Sequence, residues 1–88
     1  MGVFMVERSL QGIPMEELAA AQQRAIATAA EMTAAGTPIR YLRSTFLPGD
    51  GRCMCLFESG DGETVEALNR KANLPFYRVR AALDLPAP

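Results

Sequence analysis

Residues 39–59 read IRYLRSTFLPGDGRCMCLFES, and their reading decides the fold. Ile39 to Leu47 alternates in the manner of a strand, Pro48-Gly49-Asp50-Gly51 is a strong turn, and Arg52 to Ser59 resumes the alternation. Two strands joined by so short a turn form an antiparallel hairpin.

Upstream of the hairpin, Val3 to Leu10 (VFMVERSL) has the composition of a strand and stops at the turn-like Gln11-Gly12 pair. Pro14 suits the first turn of a helix, where its missing N–H costs nothing, and Glu16 and Glu17 follow where the helix dipole favours negative charge. From Met15 to Ala35 the residues Leu18, Ala21, Ala25, Ala29 and Met32 form one stripe of helical period, with Met15 and Ile26 at its edge. Gly36 stands where a left-handed residue closes a helix, and Thr37-Pro38 prevents continuation.

Downstream, Asp61 is a good N-cap for a shorter helix that carries Val65, Leu68 and Ala72 inward. Asn73 takes the left-handed position at its end, Pro75 blocks extension, and Phe76 to Leu83 reads as the last strand, followed by a loose tail. The order is β-α-β-β-α-β. Right-handed crossovers around a central hairpin turn that order into a ferredoxin-like α+β domain, a four-stranded antiparallel sheet with both helices on one face. The 88 residues suffice for one such domain, spanning 1–88 with an ordered core about residues 3–83, and are too few for two.

Composition narrows the function classes. The formal charge is −1 and the nine Lys and Arg form no run, so no positive field exists for a phosphate backbone and nucleic acid is not expected as a partner. The start MGVFMVERSLQG has no basic segment followed by a long apolar stretch, and no apolar run approaches the ~20 residues that span a bilayer. No membrane association is expected, and a cytoplasmic location follows. The chain has no histidine, which excludes Ser-His-Asp and Cys-His catalysis, His-based zinc hydrolysis and proximal-His haem ligation. Glycines occur in turns, without the spacing of a phosphate loop.

Cys53 and Cys55 sit two residues apart on a strand, with Cα atoms about 6.6–6.8 Å apart. A bridge between them would be strained, so both are expected as reduced thiols pointing toward the helices and filling core space, with no basic neighbour evident to activate either. As metal ligands they are too few, since thiol sites normally take three or four.

Strand alternation assigns Phe4, Val6, Leu42, Phe46, Cys53, Cys55, Phe57, Tyr77, Val79 and Ala81 to the helix side. It assigns Met5, Glu7, Tyr41, Arg43, Met54, Leu56, Glu58, Phe76, Arg78 and Arg80 to the open side. Met5, Met54, Leu56, Phe76 and Tyr41 together make a patch larger than a monomer tolerates, which predicts a sheet-to-sheet homodimer. Glu7, Arg43, Glu58 and Arg78 would line or gate the space between the sheets, with Tyr41 adding a hydroxyl. Salt bridging is one use for these charges. The other is binding a small polar ligand, since neighbouring carboxylates raise each other's pKa and nearby Arg lowers it.

Val6-Glu7-Arg8, Glu16-Glu17-Leu18, Cys55-Leu56-Phe57-Glu58 and Asn73-Leu74-Pro75 carry a further signal. In these segments the chain resembles, over about residues 3 to 83, a family of small bacterial nickel-binding-like proteins. The resemblance implies a ferredoxin-like fold, sheet-mediated dimers of the αβ-barrel type, and metal binding as a family property. Nickel would then be the cofactor, with Glu7 and Glu58 as its ligands, although the chain lacks histidine, the commonest donor for that metal. The reading taken forward is a non-catalytic dimer that binds a small ligand or a metal ion through Glu7, Tyr41, Arg43, Glu58 and Arg78. The alternative is a cofactor-independent enzyme resembling the dimeric αβ-barrel oxygenases and isomerases, with Glu7 or Glu58 as base and Arg43 or Arg78 holding an anion.

Overall fold

The computed structural model describes all residues from Met1 to Pro88. Strand β1 (Gly2–Ser9) leads into helix α1 (Met15–Ala34), then β2 (Ile39–Leu47), β3 (Arg52–Ser59), helix α2 (Gly62–Lys71) and β4 (Arg78–Ala82). The sheet order is β2-β3-β1-β4 and every neighbouring pair is antiparallel. This is the expected ferredoxin-like α+β sheet with two helices.

Local chemistry accounts for the element ends. The Asp61 carboxylate accepts the Thr64 N–H at 2.8 Å and opens α2. Asn73 takes a positive φ of 57° just after the Ala72 C-cap of α2, and Gly36 takes 101° just after the Ala35 C-cap of α1. The stripe on α1 buries Ala25 and Ala29, whose small side chains let the helix lie close to the sheet. Val65 and Leu68 of α2 and Ala72 at its C-cap are buried beside them, over Val6, Cys53, Cys55 and Phe57 of the two central strands. No helix is long and apolar enough to cross a membrane.

Three face assignments are corrected. Tyr41 pairs with the buried Phe57 and lies on the helix side, because a bulge between Tyr41 and Arg43 inserts Leu42 as an unpaired residue and inverts the faces before it. Gln22 of α1 donates a hydrogen bond to the Tyr41 hydroxyl at 3.0 Å. Phe76 precedes β4 and packs against the core, with the Arg70 guanidinium 5.5 Å from its ring centroid. The last strand is therefore shorter than the Phe76 to Leu83 expected. Tyr77, expected inward, is largely exposed.

Candidate functional site

Glu7 occupies the middle of the open sheet face, directly across from Met54 of β3 and Arg78 of β4. No helix covers it, yet it is only 1% exposed. The seal is made by arginine side chains. Arg78 binds it in fork fashion, Nε to Oε2 at 2.5 Å and Nη2 to Oε1 at 3.0 Å. Arg80 Nε lies 3.2 Å from Oε2, and Arg52 Nη2 lies 3.9 Å from Oε1.

One carboxylate thus faces three guanidinium groups, each about half exposed. The hydrogen-bonded Arg78 is the main cause that holds Glu7 below the usual carboxylate range; desolvation opposes it, and the charges of Arg78, Arg80 and Arg52 add to the lowering. Glu7 in turn raises the pKa of Arg78. Each residue thus favours the charged form of the other. The cluster carries a surplus of positive charge, with Arg donors left over for planar recognition of a carboxylate or phosphate.

Of the five site residues expected from sequence, the structure brings together Glu7 and Arg78. Glu58 is on the same face, but it pairs with Val3 in the ladder, four positions along β1 from Glu7, roughly 13 Å at strand rise. The expectation of two carboxylates raising each other's pKa is not met, and Glu58 instead sits 3.4 Å from Arg40. Arg43 faces the open side and forms an ion pair with Asp84. That pair ties the segment after β4 to the opposite edge strand, so the tail is not simply loose. Tyr41 belongs to the other face altogether.

Sequence reasoning missed Arg52 as a member of the cluster and had Arg80 only as an outward residue. The signal was present in the alternation, because Arg78 and Arg80 are two apart on an edge strand beside Glu7. It also missed Arg8, which shares the inward column of Phe4 and Val6 and is buried at 3% exposure. Cys53 and Cys55 are free, buried and inward, as expected. The absence of a basic neighbour is overturned: Arg8 lines the same cavity as both thiols, and its charge favours their ionised forms, although the neighbouring sulfur and burial push Cys53 up overall.

Comparison with known proteins places this geometry in context. The family model described as "Nickel responsive protein SCO4226-like" matches residues 4–81. Among solved structures, "Crystal structure analysis of SCO4226 from Streptomyces coelicolor A3(2)" is similar with a TM-score of 0.77 at 22% identity, covering 97% of this chain and 99% of that one. At that identity the likeness is one of fold. No curated protein matches the chain.

Proposed function

This chain belongs to the nickel responsive SCO4226-like family, and from the arginine cluster on its open face we propose that it is a non-catalytic homodimer that binds a small anionic ligand. The observation that carries the reading is the single Glu7 carboxylate ringed by Arg52, Arg78 and Arg80. Glu7 fixes the guanidinium groups in place, and their unspent N–H donors suit a carboxylate, phosphate or comparable anion. A second copy laid over the face would enclose that ligand and cover Val3, Met5, Met54 and Leu56, with Arg43 and Glu58 bordering the space.

The donors present do not suit nickel, which the family name suggests. The chain has no histidine, and no three Cys, Asp or Glu side chains converge within one protomer. Glu7 has both oxygens engaged by arginine, and Glu58 stands apart from it. These residues do not fit a nickel centre. The enzyme reading fares no better, because a carboxylate held below its ordinary pKa by Arg78 is a weak general base.

Protein purified without chelator, studied by native mass spectrometry for retained anions and by elemental analysis for nickel, tests the proposal. The expected result is a small anion retained by wild type, lost in Arg78→Ala, with no stoichiometric metal. Stoichiometric nickel that disappears in Glu7→Ala and Glu58→Ala would replace the anion reading with a metal one. A chain free of both would remove the proposal.

A further inference from the structure

The opposite side of the sheet holds a second, independent constellation. A cavity of about 490 Å³ lies between α1 and the sheet, a volume suited to a small organic molecule. Leu10, Ile13, Leu18, Ala21, Phe46 and Leu74 give it an apolar lining, and Arg8, Cys53 and Cys55 share its wall. Arg8 Nη1 donates to Asn69 Oδ1 at 2.7 Å and to the Pro75 carbonyl at 3.1 Å. Both acceptors are neutral, so a buried cation shares the cavity wall with two thiols and has no carboxylate bonded to it.

The two thiols are not equivalent. Their Sγ atoms are 3.9 Å apart, and Ser44 Oγ–H donates to Cys55 Sγ at 2.9 Å, whereas Cys53 receives no hydroxyl. Ser44 is itself 2.5 Å from the Tyr41 hydroxyl, which accepts from Gln22. Hydrogen bonding from Cys53 is the first cause favouring negative charge on Cys55; burial opposes it, and Arg8 and Ser44 add to it. Cys53 is pushed up by the neighbouring sulfur and by burial. The other charged side chains facing the cavity are Glu17 and Arg24 of α1, one of each sign.

We propose that Cys55 is a covalent capture site for small apolar α,β-unsaturated carbonyl compounds that enter the cavity between α1 and the sheet. The Cys55 thiol gives its proton to solvent, and a lone pair on the resulting thiolate forms an S–C bond at the β-carbon while the C=C π pair moves toward the carbonyl as an enolate. The enolate α-carbon takes the Cys53 thiol proton, which solvent then replaces. The net change is addition of one thiol across one double bond, so no oxidant or reductant is consumed. Cys55 is the nucleophile, and Ser44 is a positioning residue that favours its thiolate.

N-ethylmaleimide is the probe, with adducts located by intact-protein and peptide mass spectrometry. At pH 6, where an ordinary thiol is almost wholly protonated, native protein is expected to form one adduct, at Cys55, at least about tenfold faster than the chain in denaturant. A maleimide on a long polyethylene glycol chain, too large for the cavity, should leave the native protein unmodified. Cys53→Ser should retain the adduct, and Ser44→Ala should slow the reaction and move its pH profile upward. Native protein reacting no faster than unfolded chain, modification centred on Cys53, or equal reaction with the large maleimide would overturn the proposal.

Discussion

A carboxylate held by three arginines answers to acid differently from one in open water, and Glu7 makes this measurable. Its pKa in the folded protein lies below the ordinary glutamate value of 4.5, so the stability it contributes is complete above that pH and is lost as pH falls through the lowered value. Urea midpoints of wild type should therefore drop below pH 4.5 more steeply than those of Glu7→Gln, which has no proton to gain. On the other face, Asn69→Ala strips the acceptor from the buried Arg8 and should cost about 2 kcal/mol by chemical denaturation. Ser59 carries a buried hydroxyl without a partner, and Ser59→Ala is expected to raise stability by about 1 kcal/mol. Arg8 shows where sequence reading stopped at this scale. Alternation puts it inward, but arginine is rarely buried, and its partner Asn69 is 61 residues away, beyond any local pattern. Glu7 and Arg78 were readable because their strands and faces both were.

Elements were legible where turn chemistry marks them. Asp61, Asn73 and Gly36 sit at helix ends for reasons that belong to the residues themselves. The bulge at Leu42 has no such marker: IRYLRSTFL alternates acceptably in either register, so strict alternation from Arg43 puts Tyr41 on the wrong face. Phe76 was misplaced for a different reason. Its contact with Arg70 and the core holds it beneath α2, a tertiary preference that overrides strand composition. The hairpin turn supplies the prediction at this scale. Gly51 has a φ of +74°, and a Cβ there would lie 2.3 Å from the Gln11 Cα. Gly51→Ala should cost about 3 kcal/mol, from a backbone angle that alanine resists and a clash that only backbone movement relieves. Thermal unfolding of this variant beside Gly49→Ala, where a Cβ meets open space, isolates the effect.

For the whole molecule, the question is what the open sheet face meets. Loss of Tyr41 and Phe76 from that face leaves Val3, Met5, Met54 and Leu56 as its apolar centre, all only partly buried. The tail anchored through Asp84 to Arg43 brings two further exposed leucines, Leu83 and Leu85. Four strands at their usual spacing and length offer a face of about 19 by 26 Å, or about 1,000 Å² when two such faces meet, near the lower limit for a specific interface. On this arithmetic the proposed dimer would be modest in strength, and a ligand shared by the two arginine clusters would strengthen it. Leu56→Arg adds a charge at the centre of the contact and should dissociate it without touching the core. Sedimentation velocity at micromolar concentration tests the account most directly. It predicts a particle of twice the 9.5 kDa chain mass that Leu56→Arg converts to single chains, whereas wild type sedimenting as a single chain at every concentration would contradict it.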